Sequence, residues 1–237
     1  MGNKVSAFLL GGFIFLGLSS LGYLLGSSTI RFKEYERSVT VKGLSEREYD
    51  ADIVLWPIQF TEASNDLEQL YSSIEESTLK IKEFLKEGGI KEEEITISSP
   101  TITDRSAQRY GDNQKSEFRY TAAQAVTVYS KNIKAVQSIM SSLSQLGKKG
   151  IVFTGDNYQS RTEYLFTRLN EIKPEMIEEA TRKAREVAQK FAIDSQSTLG
   201  KIKKAYQGQF SIEDRDKNNP HIKKVRVVCT VEYYLSD

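Results

Sequence analysis

The 237-residue sequence has few of the residues that most often carry chemistry: one cysteine, Cys229, one histidine, His221, and one tryptophan, Trp56. A single cysteine excludes an internal disulfide, and one cysteine with one histidine excludes a zinc site built from those residue types. The sequence also lacks an excess of either charge, with 33 Lys and Arg against 32 Asp and Glu. We therefore expect no nucleic-acid partner, because such a partner requires a strongly basic domain.

The residues His221 and Cys229 do not form a recognisable catalytic pattern. His221 lies in a polar stretch beside Pro220, without a G-x-S-x-G motif, which favours a solvated loop residue. Cys229 belongs to an alternating apolar run, which favours a buried thiol of low reactivity. This run consists of Val225, Val227, Cys229, Val231 and Tyr233. On an extended strand, Cys229 would lie ~26 Å from His221. We predict no catalytic residue, no cofactor and no metal ligand, and expect that the chain is not an enzyme.

Carboxylates and aromatic residues leave weaker alternatives open. Acidic groups offer the ligand type that a hard cation prefers, although such runs usually form solvated surfaces; they are Asp50 with Asp52, Asp214 with Asp216, and Glu92 to Glu94. An enzyme that uses carboxylates and tyrosines in a pocket is a further alternative, since a carboxylate pair has no sequence signature. Trp56 is expected in the core or in an interface. The tyrosines that suit an interface are Tyr120, Tyr129, Tyr233 and Tyr234.

One uncharged apolar run stands near the start of the chain, from Ala7 to Leu25. As a helix it spans roughly 28 Å, close to the thickness of a bilayer core. We predict a transmembrane anchor at residues 1–26, followed by a linker at residues 27–37. A cleaved signal peptide is the alternative, but no A-x-A site follows the run. The basic residues Arg31 and Lys33 outnumber Lys4, yet long domains cross membranes largely regardless of such charges.

The remaining sequence alternates between strand and helix patterns. Strands are predicted at Ser38–Gly43, Ile53–Phe60, Ile95–Thr103, Phe118–Tyr129, Ile151–Thr154, Glu163–Thr167, Leu199–Gln209 and Lys223–Leu235. Amphipathic helices are predicted at Asp66–Glu87, Ile133–Leu146 and Pro174–Phe191. Pairs of strands between single helices imply hairpins. We therefore predict an α+β fold for residues 38–237, with mostly antiparallel sheets and three helices packed on them.

Glycine and proline indicate where several of these elements end. Gly43 is predicted to end the first strand, and Pro57 to place the second strand at a sheet edge or a bulge. Gly88 and Gly89 are predicted to end the first helix, and Pro174 to stand in the first turn of the third. Loops are predicted at Tyr110–Asn113, within a long hairpin, and at Glu213–Pro220.

Helical spacing also predicts which side chains are buried. In the first helix these are Leu67, Leu70, Tyr71, Ile74, Thr78, Ile81 and Leu85. In the second they are Ile133, Val136, Ile139, Met140 and Leu143. In the third they are Met176, Ile177, Ala180, Ala184, Val187, Ala188 and Phe191. The opposite face of the third helix is predicted to carry the i,i+4 ion pairs Glu178–Arg182, Glu179–Lys183 and Glu186–Lys190.

Charge is unevenly distributed along the chain. Residues Glu62 to Glu94 include ten acidic residues and four lysines, whereas Lys201 to Arg226 include eight basic and three acidic residues. Two solvated surfaces are the simpler interpretation. The alternative is a pair of complementary surfaces that steer head-to-tail assembly of identical copies.

Several stretches together resemble the SIMPL-domain family, a bacterial group formerly known as a domain of unknown function. They are Val39-Thr40-Val41-Lys42-Gly43 followed by Asp52, the helix from Asn65 to Gly89 with Ile90 and Ile95-Thr96, Tyr120-Thr121-Ala122, the spacing Ala180/Ala184/Ala188, and Leu199-Gly200-Lys201-Ile202. The resemblance covers about residues 38–235. Ile53 stands where the family usually has a small residue.

The resemblance implies an extracytoplasmic protein linked to oxidative-stress defence, with an α+β domain that forms a hollow oligomer in some members. It implies no catalytic residues. With the apolar run, it leads us to expect a non-enzymatic protein of the cytoplasmic (inner) membrane, with its folded domain on the periplasmic side. We expect a homo-oligomer, held in the membrane by Ala7–Leu25. The alternative function is an adaptor that recruits an envelope protein or an anionic lipid surface through the basic C-terminal region.

Overall fold

The computed structural model describes residues 2–34, 37–107, 117–153 and 161–236. The first element, α1, is a 33-residue helix at Gly2–Glu34. It contains the whole predicted apolar run and continues through most of the predicted linker. Its side chains from Leu9 to Gly26 are exposed, and this 18-residue stretch is long and apolar enough to cross a membrane.

Within the described residues, four further α-helices and ten strands follow α1, and they confirm the predicted α+β class. The helices are α2 (Leu67–Glu87), α3 (Ile133–Ser141), α4 (Ser144–Lys148) and α5 (Leu169–Asp194). The strands are β1 (Ser38–Asp50), β2 (Ile53–Ser64), β3 (Ile95–Ile97), β4 (Thr101–Asp104), β5 (Tyr120–Ser130), β6 (Val152–Phe153), β7 (Glu163–Leu165), β8 (Thr198–Gln207), β9 (Ser211–Asp214) and β10 (Ile222–Ser236).

These elements form two compact units. Unit 1 consists of Met1–Arg47, Ile172–Ser211 and Val225–Asp237, and unit 2 of Glu48–Glu171 and Ile212–Lys224. One sheet has the strand order β1-β10-β8, with β9 also pairing with β10. The other has the order β3-β5-β2-β6, with β4 on β5 and β7 on β2. Every pairing with a described register is antiparallel, as predicted.

Unit 2 is built around the long antiparallel pair of β2 and β5, in register from Val54↔Ser130 to Ser64↔Tyr120. The predicted strand Ile95–Thr103 is divided into β3 and β4, and both pair with β5 as the expected hairpin. The hairpin loop Tyr110–Asn113 lies outside the described residues. On its outer edge β2 pairs with β7 at residues 53–55 and with β6 at residues 60–61. Pro57 lies between these two pairings, where its missing N–H is tolerated.

One face of the β2–β5 pair packs against helices α2, α3 and α4. Its core contains Trp56, which is 5% exposed as predicted, together with Val54, Ile58, Phe60, Val126, Val128, Leu70, Ile74, Ile81, Phe84, Leu85, Val136, Ile139 and Leu146. The predicted second helix is divided at Ser142–Leu143 into α3 and α4. The domain therefore carries four helices and not three.

The boundaries of helix α2 agree with the prediction, but the buried face of the helix differs from the predicted one. The side chain of Asp66 accepts a hydrogen bond from the Gln69 N–H at 2.8 Å and begins the helix, and Gly89 supplies the positive φ of 90° after it. Leu67 and Tyr71 were predicted to be buried but are 42% and 51% exposed. The buried face includes Phe84 instead, because the core-facing stripe is turned around the helix relative to the predicted one.

In unit 1, helix α5 covers one face of the β1-β10-β8 sheet. The alternating residues of β10 are buried as predicted, from Val225 at 0% exposed to Tyr233 at 3%. Helix α5 contributes Met176 and a stripe of alanines at Ala180, Ala184, Ala188 and Ala192. Val187 and Phe191 were predicted in this face but are 38% and 55% exposed.

Gly43 does not end the first strand, because β1 continues through it to Asp50. Its backbone instead approaches helix α5: a Cβ atom at Gly43 would lie 1.9 Å from the carbonyl oxygen of Ala180 and 2.5 Å from the nitrogen of Ala184. Only a residue without a side chain allows this contact. Gly43 and the alanine stripe therefore serve the same purpose, which is the close packing of α5 on β1.

Helix α5 begins at Leu169, five residues before Pro174. The prediction that Pro174 occupies the first turn is therefore wrong, and the helix includes a residue that cannot donate its backbone hydrogen bond. The charged stretch Glu213–Pro220, predicted as a loop, contributes its first two residues to β9.

Candidate functional site

The two residues singled out for reactivity lie in different environments. Cys229 is 3% exposed in the apolar face of β10, as predicted. His221 immediately precedes β10 and is partly buried. Its ring packs edge-on against that of Tyr164, with centroids 6.0 Å apart, and its carbonyl oxygen accepts a hydrogen bond from the Ala51 N–H. His221 therefore lies in a turn, as predicted, but it is only partly solvated because its ring and its backbone both make contacts.

A small polar cavity of about 290 Å³ lies beside this histidine. Lys223 and Asp214 line it and form a direct ion pair. The Lys223 side chain is 10% exposed, so its ammonium depends on Asp214 for compensation of its lost hydration. This ion pair was not predicted from the sequence. Lys223 and Val225 are two residues apart on one strand and share a face, which indicates that Lys223 is buried. Asp214, however, lies in the stretch Glu213–Pro220, which was predicted as a loop.

Three of the other acidic residues considered as cation ligands, Asp52, Asp216 and Glu92, bind protein groups. Asp52 accepts hydrogen bonds from the Thr167 N–H and hydroxyl at 3.0 and 2.8 Å. Asp216 accepts from the N–H groups of Asn218 and Asn219. Glu92 receives Lys82 and Lys86, whose hydrogen bonds lower its pKa to about 2. Across the part of the chain that the structure describes, no three His, Cys, Asp or Glu residues are grouped to hold a metal ion.

A carboxylate on α5 joins that helix to β1. Glu179 accepts hydrogen bonds from the Ser45 hydroxyl at 2.8 Å and from Arg47 at 3.0 Å, and it pairs with Lys183 at 2.7 Å. The hydrogen bond from Lys183, followed by that from Ser45, lowers the pKa of Glu179 to about 2. Glu179–Lys183 is the one predicted i,i+4 pair of α5 that forms among the described residues, because the network at β1 holds its carboxylate in place.

The largest described concavity is a groove of about 710 Å³ between α5 and β8. We call it the α5–β8 groove. Its lining residues are Glu178, Thr181, Arg182, Arg185, Gly200, Lys201, Ile202 and Tyr233. Ile202 lies directly opposite Tyr233 in the β8–β10 register, and it remains 49% exposed because α5 does not cover this strand. The groove thus has an apolar floor on the face that α5 packs against, beside the part of β8 that the helix leaves uncovered.

Polar groups of the α5–β8 groove lack partners. The Tyr233 hydroxyl is buried and makes no hydrogen bond within the described residues. Its burial raises the pKa of Tyr233, with an opposing effect of Arg185, so the phenol stays protonated at neutral pH. The predicted partner of Arg182, Glu178, lies in the same groove but is not within ion-pair distance, and the described residues place no carboxylate on Arg185 or Lys201. The groove therefore combines apolar surface with three available cations.

A second exposed surface has the opposite character. Along the first half of α2, the residues Leu67, Tyr71, Glu75 and Leu79 follow one another at i,i+4 spacing. The three apolar ones are 42%, 51% and 53% exposed. We call these four residues, with the adjacent Glu68, the α2 stripe. It contains two acidic residues and no basic residue.

The four tyrosines proposed for an interface are divided by the fold. Tyr129 and Tyr234 are 48% and 41% exposed, and Tyr120 is partly buried under the Arg119 guanidinium, 4.8 Å from its ring centroid. Tyr233 is buried and lines the α5–β8 groove. Tyr71, which the sequence analysis assigned to the core, is the tyrosine that belongs with the exposed group.

The fold defines an α+β protein with two antiparallel sheets, each covered by helices on one face. The model of the SIMPL family, described as a protein of unknown function (DUF541), matches residues 39–233. The chain belongs to this family, as the resemblance indicated. No curated protein matches it.

Proposed function

We propose that this chain is a non-enzymatic, single-pass protein of the cytoplasmic membrane that acts by self-association on the extracytoplasmic side. The role that we propose for it is in envelope or oxidative-stress defence. The observation that carries the proposal is the coexistence of an exposed apolar helix with two exposed surfaces of opposite charge. Each needs an environment or a partner outside the single chain.

Helix α1 supports the membrane part of the proposal. The stretch Leu9–Gly26 contains no charged residue, and its side chains are exposed. At 1.5 Å per residue it is about 27 Å long, which matches the hydrocarbon thickness of a bilayer. Exposed apolar side chains of this extent are stable only in an apolar phase. An uncleaved anchor keeps these apolar side chains in the bilayer for the life of the protein, whereas a signal peptide is removed from the protein by cleavage.

The pKa values of the described carboxylates support the proposal that the chain is not an enzyme. Those with strongly lowered pKa values, such as Glu92, Asp104, Glu179 and Asp216, each receive a lysine or arginine side chain and neighbouring hydrogen bonds. Such ion pairs hold loops and helices in place, and they leave the carboxylates ionised at neutral pH. A general acid needs the opposite shift, towards a raised pKa.

The basic C-terminal region supports self-association better than a lipid surface. At least four of its eight cations are in ion pairs within the described residues, namely Lys203 with Glu232, Arg215 with Asp216, Lys223 with Asp214 and Arg226 with Glu46. Attraction to an anionic membrane is worth only ~1 kcal/mol per free cation. Lys201 of this region lines the α5–β8 groove together with Arg182 and Arg185 of α5, and a concave surface suits a shaped partner better than a flat lipid surface.

Two measurements test the proposal on the full chain. The first is extraction of bacterial membranes with alkaline carbonate, from which an anchored chain stays in the pellet. The second is light scattering of the detergent-solubilised full chain, which we expect to give a mass several times that of one chain. A chain released from cells without its first ~26 residues, or a strictly monomeric chain in detergent, would contradict the proposal.

A further inference from the structure

We infer that the α5–β8 groove receives the α2 stripe of a second copy of this chain. This inference rests on the proposed self-association and assigns its contact surfaces. The contact is head-to-tail, because it joins two different surfaces of the same sequence.

The groove has the properties of a helix-binding site. It is flanked by α5 on one side and by β8 on the other, and its floor contains Ile202 beside Tyr233. A buried hydroxyl without a partner is unfavourable, and the Tyr233 hydroxyl can donate a hydrogen bond to an acceptor such as a carboxylate. Amphipathic helices bind grooves of this kind through side chains at i, i+4 and i+7 or i+8.

The α2 stripe supplies both the apolar and the acidic groups. Leu67, Tyr71 and Leu79 offer apolar contacts over about 18 Å of helix. Glu68 and Glu75 are exposed and pair with no basic side chain in the described part of the chain. The lysines of α2 do not oppose them, because Lys80 is bound to Glu76, and Lys82 and Lys86 are bound to Glu92. The stripe is therefore acidic where the groove is basic.

Complementary charge and the shared membrane favour a second copy over another occupant. Arg182, Arg185 and Lys201 line the groove, against one acidic residue, Glu178. Two acidic residues on an apolar helix face match this arrangement in sign and in character. Chains anchored in one membrane also meet at a high effective concentration. Because all anchored copies point the same way, repeated head-to-tail contacts are related by an axis along the membrane normal, and they form a ring where the rotation between neighbours closes.

Charge reversal tests the assignment on the full chain in detergent. One variant carries Glu68→Lys and Glu75→Lys, and the other carries Arg182→Glu and Arg185→Glu. Each is expected to weaken association at least tenfold, measured by light scattering across a dilution series. A chain with all four substitutions is expected to associate again, since the charge pairs that involve Arg182 and Arg185 then have both signs reversed. Matched controls are Glu186→Lys with Glu213→Lys, and Lys190→Glu with Lys217→Glu, which make the same charge changes outside both surfaces.

A crosslink gives an independent readout in native membranes. Leu79→Cys and Ile202→Cys, combined in one chain, are expected to form disulfide-linked ladders under mild oxidant, while each single variant gives none; the native Cys229 is buried. Monomeric wild-type chain would overturn the proposed function together with this inference. Assembled wild-type chain that neither charge reversal nor the crosslink detects would overturn the inference alone. Loss of binding to anionic vesicles by the groove variant, with assembly unchanged, would likewise overturn it and assign the groove to lipid.

Discussion

Individual residues carry the clearest structural constraints in this protein. The backbone contact between Gly43 and helix α5 involves main-chain atoms of Ala180 and Ala184, which cannot move aside as a flexible side chain would. From the sequence, Gly43 was predicted to end the first strand. Glycine in a strand also marks close approach of another backbone, and only the packed helix shows that this applies here.

Gly43→Ala is expected to lower the free energy of unfolding by about 1–3 kcal/mol or more, because the added methyl group overlaps the α5 backbone. The measurement is urea unfolding of the full chain in detergent, followed by circular dichroism. Gly147→Ala is the control, since a Cβ there meets no atom within 4 Å. Equal midpoints for the two variants would contradict the close contact.

Glu179 predicts a specific pH dependence. Its pKa in the folded chain is about 2, below the ordinary value of 4.5. The ionised carboxylate therefore stabilises the fold fully above pH 4.5, and this stabilisation is lost as the pH falls from 4.5 towards 2. Glu179→Gln should lower the free energy of unfolding by about 1–3 kcal/mol at pH 7.

The difference between Glu179→Gln and wild type should shrink steadily in urea titrations between pH 4.5 and pH 2. The exposed Glu186→Gln on the same helix is the control, with wild-type stability across this range. A difference that stays constant with pH would show that the carboxylate acts through its shape and not through its charge.

At the scale of elements, helix and strand positions were largely predictable because their signals are local. The i,i+4 spacing of α2 and the alternation of β10 predicted both elements to within a few residues. Which residues lie at the margins of the buried face of a helix was less predictable. Leu67 and Tyr71 fit the helical spacing of the core, yet they are exposed because the buried stripe of α2, which includes Phe84, is turned around the helix relative to the predicted one.

The start of α2 gives a prediction at this scale. The Asp66 side chain satisfies one of the free N–H groups of the first turn, so Asp66→Ala should destabilise the chain by about 1 kcal/mol. Urea unfolding monitored by Trp56 fluorescence reports on unit 2, which contains both residues. Ser72→Ala within the same helix is the control and should be neutral, and a neutral Asp66→Ala would contradict the cap.

At the scale of the whole molecule, the decisive element is α1. Its central residues are apolar and exposed, and an arginine near the centre of a membrane helix costs about 2.5–3.5 kcal/mol. Phe15→Arg combined with Leu18→Arg is therefore expected to shift most of the chain out of the carbonate-resistant membrane fraction.

Phe15→Leu combined with Leu18→Phe keeps the same apolar composition and should remain in the membrane pellet. This pair of variants separates hydrophobic anchoring from attachment through another membrane protein. Retention of the double arginine variant in the pellet would show that the folded part, and not α1, holds the chain at the membrane.

The sequence by itself determined the fold class, the order of the elements, the apolar helix and the family, because periodicity, glycine and proline positions and motif order are properties of neighbouring residues. Tertiary structure alone decided which distant residues meet. The Lys223–Asp214 pair, the contact of Gly43 with α5, and the groove that joins Arg185 to Lys201 and Tyr233 all depend on how the sheet and helix pack. Such contacts between distant residues depend on long-range packing, which leaves no local pattern in a single sequence.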